Sequence, residues 1–275
     1  MVEYFIISSA MVFVYMSIVF IAALLRKDNS IVDIAWGVGF ILIALLTLFL
    51  KDGSNPRQVL VTGLVFLWGV RLAVHVAGRN KGKGEDFRYA QWRKNWGKWF
   101  VPRSYLQVFL LQGIFMLVVS YPVILVNSGE SSKIAVFDMV GILLWCIGFY
   151  FEAAGDYQLR KFKKNLENRG KIMTSGLWKY SRHPNYFGEA VMWWGIFAFA
   201  LSVEQGWTAV VSPLLITFLL LKVSGVTMLE KKYAGNKEFA EYAQRTYAFF
   251  PWFPKAGLME KFFKRHHTHR SDGRD

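Results

Sequence analysis

Asn185 and Glu189 stand four residues apart, just after Arg182, His183 and Pro184, in the stretch Thr174-Ser-Gly-Leu-Trp-Lys-Tyr-Ser-Arg-His-Pro-Asn-Tyr-Phe-Gly-Glu189. On a helix that spacing puts an amide and a carboxylate on one face, both able to accept hydrogen bonds from hydroxyls or amides. Pro184 suits the first position of such a helix, because its missing N–H would be unpaired there anyway. Arg182 and His183 would then sit at the positive end of the helix, where an anion can bind. Phosphate-side and sugar-side chemistry of a nucleotide would therefore be adjacent. The plainer reading of the same residues is a capped helix start with Tyr186 as an interfacial anchor.

Glu152, Asp156, Arg160 and Lys163 recur at i, i+4, i+8 and i+11 along one helical face. Pairing at i,i+4 accounts for Asp156 with Arg160. Glu152 lies about a turn deeper in an apolar run, where exposure to lipid is costly, so a polar group is expected beside it. Ribose hydroxyls or an adenine amine would serve, with Lys163, Lys164 or Arg169 near a phosphate. Asp33, Arg71 and His75 also fall within or near apolar runs, where an ionisable group normally faces a cavity or the bundle interior.

No G-x-G-x-x-G and no P-loop occurs, and the Gly37-Val-Gly39 and Gly82-Lys-Gly84 fragments lack the strand and helix that make a phosphate cradle. A dinucleotide must therefore be held by side chains between helices. Nucleophile elbows, zincin helices and carboxylate pairs at glycosidase spacing are absent, which leaves hydrolysis little support. Cys146 is the only cysteine, so disulfides within the chain and cysteine-based zinc sites are excluded. His266, His267 and His269 belong to a polar terminal tail and are read as solvated, so no metal site is expected.

The elements that must position these residues are membrane helices. The 275 residues are 54% hydrophobic and 17% aromatic, too apolar for an ordinary soluble domain. About seven apolar runs appear, at 4–25, 31–50, 58–76, 106–126, 134–154, 186–201 and 207–221, the last two short for a span. An all-α bundle of about seven transmembrane helices is expected. The net charge of +14 sits in the gaps between runs, which points to membrane lipids and anionic ligands rather than nucleic acid. Loops 79–103 and 160–182 are strongly basic, whereas 127–133 and 202–206 carry almost no positive charge. The basic loops are therefore expected in the cytoplasm, with the N-terminus outside and the C-terminus inside; Lys51 and Arg57 dissent weakly. The first run lacks a cleavage site and reads as a retained span. No repeat or linker divides the chain, which reads as one domain: substrate-side helices at 1–126, a cofactor-binding part at 134–254 and a basic tail at 255–275.

Ser181-Arg-His-Pro-Asn-Tyr-Phe-Gly-Glu189, with Ser175-Gly-Leu-Trp178 before it, resembles the signature of bacterial membrane proteins grouped with the C-terminal domain of steroid 5-alpha-reductases. It is similar to the matching motif of sterol reductases and, more distantly, of isoprenylcysteine carboxyl methyltransferases. Leu229-Glu-Lys, Tyr242-Ala-Gln-Arg-Thr246 and Phe250-Pro-Trp-Phe-Pro254 fit the same bacterial group, as do Asp33-Ile-Ala-Trp36-Gly, Trp68-Gly-Val-Arg71-Leu and Glu85-Asp-Phe-Arg88-Tyr89. The resemblance implies a seven-helix reductase of the bacterial inner membrane that takes hydride from NADPH on the cytoplasmic side. The acceptor it implies is an activated carbon–carbon double bond in a steroid-like or isoprenoid lipid.

Carried over position by position, the resemblance implies cofactor contacts at Asp156, Asn185 and Glu189, with Lys163 at a nearby basic position. Trp178, Arg182, His183, Tyr186, Glu230, Tyr242 and Arg245 are candidate members of the same site. The family's Asn one turn before the Asp is Glu152 here, Trp68 falls where a substrate-polarising Tyr would be, and no Gln-Glu pair is evident. Asp33 and Arg71 are the candidate replacements as proton donor or polariser, the alternative being a structural pair. Two other functions use the same features: an S-adenosylmethionine-dependent membrane methyltransferase built on the Arg-His-Pro loop and Glu230, and a non-enzymatic lipid-binding protein.

Overall fold

The computed structural model describes residues 1–50, 53–130, 134–223 and 225–255. Residues 256–275 of the basic tail, with its three histidines, lie outside them. Every element among the described residues is helical, apart from one parallel bridge between Ser181 and Tyr247.

Helices α1 (Val2–Arg26) and α2 (Ile31–Phe49) are joined by a turn that Lys27 opens in the left-handed conformation, closing the last carbonyls of α1. A capping box of Asn55 and Gln58, with Pro56 at the first position, starts α3 (Pro56–Asn80). A Cβ on Gly37 would fall 2.7 Å from the Gly69 carbonyl oxygen, and one on Gly69 equally close to that of Gly37, so α2 and α3 touch backbone to backbone.

The next helical run, Phe87–Ser128, has 42 residues. That is about 60 Å of helix against a hydrocarbon core of about 30 Å. It is accordingly divided. Helix α4 (Phe87–Trp96) ends at Gly97, whose φ of 49° ordinary side chains avoid, and a tight turn, Gly97–Trp99, follows. Then come α5 (Phe100–Ser104), a π-helical turn (Tyr105–Leu110), α6 (Leu111–Val119) and α7 (Tyr121–Ser128), the last opening at Pro122. The chain continues through α8 (Val136–Lys164), α9 (Pro184–Ala200), α10 (Val211–Phe218), α11 (Val226–Lys232) and α12 (Lys237–Arg245).

Among the described residues six helical runs are long and apolar enough to cross a membrane. The remaining expected span is α9, which starts at Pro184 as predicted but has only 17 residues, short of the roughly 20 that a crossing takes. Side chains such as Ile6, Phe13, Ile18 and Leu25 of α1 are more than half exposed, as suits contact with lipid. This is an integral, multi-pass, all-α membrane protein.

Two compact units share the chain, each discontinuous in sequence: Met1–Trp145 with Trp193–Ile216, and Cys146–Met192 with the residues from Thr217 onward. In the first unit the rings of Phe40, Trp68 and Trp193 pack with centroids 5.0–5.3 Å apart. Arg57, whose charge argued weakly against the expected orientation, is 2% exposed. Its Nε and Nη2 donate to Asp138 Oδ1 and Oδ2 at 2.8 and 2.9 Å. Ser202 Oγ and the Ala135 N–H also donate to that carboxylate.

The Glu85-Asp-Phe-Arg88-Tyr89 segment clamps the turn between α1 and α2. Glu85 accepts from the Asn29 N–H and from both Nε and Nη2 of Arg93, while Ser30 Oγ accepts from the Asp86 N–H. Asp33 accepts from Arg88 Nη2 and Tyr89 OH, each at 2.7 Å. Burial raises the pKa of the Asp86 carboxyl, but the Arg88 side chain and N–H bound to it outweigh that and hold it below the usual range.

Candidate functional site

In the second unit the turn of α8 from Glu152 to Asp156 faces the first turn of α9, and glycines allow the approach. A Cβ on Gly148 would fall 2.5 Å from the Gly188 carbonyl oxygen and 2.6 Å from the Met192 nitrogen. One on Gly155 would fall 3.3 Å from the Asn185 nitrogen, and one on Gly188 only 2.9 Å from Glu152 Cβ. No side chain fits at the first and third of these positions without moving backbone.

The polar residues that the glycines admit are buried: Glu152 is 3% exposed, Asp156 8% and Glu189 9%. Asn185 Nδ2 donates to Asp156 Oδ1 at 3.0 Å. Asn185 Oδ1 is buried and has no hydrogen-bond partner. An amide carbonyl left in this way costs free energy until a donor reaches it. The i,i+4 pair expected from sequence, Asn185 and Glu189, thus lies on the face of α9 that meets α8.

Arg182 is committed elsewhere. Its Nε and Nη2 form a fork onto both carboxylate oxygens of Glu230 at 2.8 and 3.0 Å, and its Nη1 donates to the Ala243 and Thr246 carbonyls at 3.0 and 2.6 Å. His183 Nε2 lies 3.2 Å from the same carboxylate, and the His183 ring stacks on Tyr186 with centroids 5.6 Å apart. Arg182 therefore ties the motif to α11 and to the end of α12. Arg182 thus donates through Nε, Nη1 and Nη2 within the protein and shares Glu230 with His183, which gives both residues a structural role beside the anion and ligand contacts expected of them from sequence.

The rest of the motif is fixed in the same manner. Trp178 Nε1 donates to the Gly155 carbonyl at 3.1 Å, and the Leu177 N–H to Gln158 Oε1 at 2.9 Å. Tyr242 OH donates to the Trp178 carbonyl. The segment after α12 is held by the Arg182 N–H to the Tyr247 carbonyl, Ser181 Oγ to that of Phe249 and the Trp252 N–H to that of Tyr180. Lys163 is exposed in the last turn of α8, and Arg245 is half-buried at the end of α12.

Sequence reasoning missed the glycines that set the helix contact. Gly141, Gly148 and Gly155 recur every seventh residue on α8, and Gly188 and Gly195 do so on α9. In the first unit, a Cβ on Gly195 would fall 2.8 Å from the Gly141 carbonyl oxygen. That spacing was visible in the sequence. Among the described residues no cluster of His, Cys, Asp or Glu is disposed to hold a metal ion.

The fold is that of an all-α, multi-pass membrane protein in which buried polar side chains of α8 and α9 meet at a close, glycine-mediated helix contact. The family model described as a protein of unknown function (DUF1295) matches residues 19–246, and the chain belongs to that family. The uncharacterized protein C594.04c of Schizosaccharomyces pombe is 24% identical over 282 residues, covering 90% of this chain and 79% of its own length. The 3-oxo-5-alpha-steroid 4-dehydrogenase 1 of Bos taurus is 38% identical over 80 residues, and that of Mus musculus 40% over 68. Those matches cover 29% and 25% of this chain and 31% and 26% of the two dehydrogenases. They relate the chain to the steroid 5-alpha-reductase superfamily. No solved structure matches it.

Proposed function

We propose that the protein is an NADPH-dependent membrane reductase that saturates an activated carbon–carbon double bond in a hydrophobic, steroid-like or isoprenoid substrate. The observation that carries the reading is Asn185, whose amide is oriented by Asp156 while its buried carbonyl oxygen lacks a donor. A carboxamide or a sugar hydroxyl supplies such a donor, and a nicotinamide nucleotide has both. The partial similarity to 3-oxo-5-alpha-steroid 4-dehydrogenases supports the same class.

NADPH, when bound, would supply a hydride to one carbon of the double bond; a proton goes to its neighbour. Asp156 holds the Asn185 amide in one orientation, and Asn185 Oδ1 accepts from the ligand. Glu152 and Glu189 offer further buried acceptors on the same two helices, and Lys163, exposed at the end of α8, is the cation for a phosphate. Arg182, Glu230, His183, Tyr186, Trp178 and Tyr242 position the start of α9, which carries Asn185, and Arg245 lies at the end of α12. Asp33 is tied to Arg88 and Tyr89 and anchors α4, so Arg71 in α3 is the stronger candidate to polarise the acceptor. The cytoplasmic face of a bacterial inner membrane is the proposed location of the site.

Incubation of the purified protein with nicotinamide-deuterated NADPH and a cellular lipid extract tests the reading. Deuterium on carbon in a lipid product is the expected result. Methyl transfer from labelled S-adenosylmethionine without deuterium transfer overturns it in favour of a methyltransferase, and neither transfer leaves a lipid-binding protein.

A further inference from the structure

The Phe250-Pro-Trp-Phe-Pro254 segment has no part in the site described above. It follows α12, in the same unit as α8 from Cys146 onward and the start of α9. Phe249 just before it is buried, whereas Phe250 is 69% exposed, Trp252 65% and Phe253 74%. Its backbone suits a medium poor in water. Pro251 and Pro254 carry no N–H, the Trp252 N–H donates to the Tyr180 carbonyl at 3.0 Å, and the Lys255 N–H to the Arg245 carbonyl at 3.1 Å. The Tyr247 and Phe249 carbonyls accept from the Arg182 N–H and Ser181 Oγ at 2.9 and 2.8 Å. Backbone groups left free are costly away from water and cost little in it.

Ring contacts fix the depth of the segment. Phe250 lies 5.9 Å, centroid to centroid, from Phe187 of α9, and Phe187 lies 5.2 Å from Phe151 of α8. Phe151 belongs to the apolar part of a helix long enough to cross a membrane, next to Tyr150, which is more than half exposed. Phe253 lies 6.1 Å from Tyr180, two residues past Trp178, whose Nε1 donates to the Gly155 carbonyl. From Phe151 to Gly155 is about 6 Å of helix, close to the depth of one headgroup layer. Arg160 and Lys161 stand just beyond, at the basic end of α8. Aromatic rings exposed at this level meet the boundary of headgroups and acyl chains, where such rings settle.

We propose that residues 250–253 form a membrane-inserted strap, in which Phe250, Trp252 and Phe253 enter bilayer lipid beside α8 and α9 and hold the unit that carries Asn185 at headgroup depth. Nitroxide labels at Tyr150→Cys, Phe250→Cys, Phe253→Cys and Lys171→Cys, each in a Cys146→Ser background of the full-length protein in phosphatidylcholine vesicles, test it. Paramagnetic resonance compares collisions with oxygen, which dissolves in lipid, and with a water-soluble nickel chelate. The oxygen-to-nickel ratio at 250 and 253 should approach that at 150 and exceed that at 171, in the basic loop, by at least about threefold. A ratio equal to that at 171 places the segment in water and overturns the proposal. Few collisions with either reagent mean that protein covers the rings, a second copy or the chain after residue 255, and overturn it as well. Should Phe250→Cys or Phe253→Cys lower the thermal midpoint, Trp252→Cys, which keeps the backbone bond to Tyr180, must give the lipid-like ratio, or the proposal falls.

Discussion

Arg182 and Glu230 form a fork-to-fork ion pair, 2.8 and 3.0 Å long, from which the motif loop hangs on α11. A lysine cannot reproduce that fork or reach the Ala243 and Thr246 carbonyls at the same time. Arg182→Lys and Glu230→Gln should each cost about 2 kcal/mol of stability. Thermal unfolding in detergent reads this as a lowered midpoint. A loss of nucleotide affinity at an unchanged midpoint would return Arg182 to a phosphate.

Asp156→Ala, Asn185→Ala and Glu189→Ala should weaken NADPH binding by roughly tenfold to a hundredfold, the worth of a hydrogen bond to a charged or buried group. Calorimetric titration of protein that remains monodisperse measures the effect. Wild-type affinity in all three variants would make the cluster structural.

Gly148→Ala should destabilise the protein strongly, because its Cβ would fall 2.5 Å from a backbone oxygen of α9. Gly78→Ala, in a helix with nothing within 4 Å of the new carbon, should be neutral or stabilising by up to about 1 kcal/mol. Paired thermal midpoints compare the two. Equal behaviour would show that α8 and α9 do not depend on the close approach.

Burial pushes the Tyr242 phenol well above the usual tyrosine range; Arg182 pulls it down and Glu230 pushes it up. A raised pKa means that the folded state holds this proton more tightly than the unfolded chain. The contribution is therefore complete below the unfolded pKa of about 10 and is lost as pH rises toward the folded value. Tyr242→Phe should lower the midpoint at neutral pH and flatten its decline above about pH 10. An unchanged alkaline slope would place the dominant proton elsewhere.

Loops 79–103 and 160–182 should both lie in the cytoplasm. In a Cys146→Ser background, a cysteine placed in either loop should resist an impermeant thiol reagent applied to intact cells. Labelling from outside would overturn the orientation and the cytoplasmic cofactor site together.

The apolar runs and the basic gaps made the membrane helices legible, because burial in lipid demands a long uniform composition. Pro184 marked the start of α9 for a local reason, its missing N–H. Asn185 with Glu189, and Glu152 with Asp156, were legible as two i,i+4 pairs, while only the family resemblance put Asp156 together with Asn185 and Glu189. What Arg182 does was not, since its acceptors come from Glu230, Ala243 and Thr246, far along the chain. The same holds for Asp33, whose partners Arg88 and Tyr89 lie beyond the next helix. The break at Gly97 was hidden because a glycine in a basic, aromatic stretch looks the same whether the helix bends or continues.

Arg57 and Asp138 are 81 residues apart in sequence. Translation at about 5–20 residues per second separates their synthesis by roughly 4–16 s. For that interval the arginine exists without the carboxylate that ends up beside it. The pair can close only once the first turn of α8 has been made, so this contact comes after α1, α2 and α3 have all been synthesised.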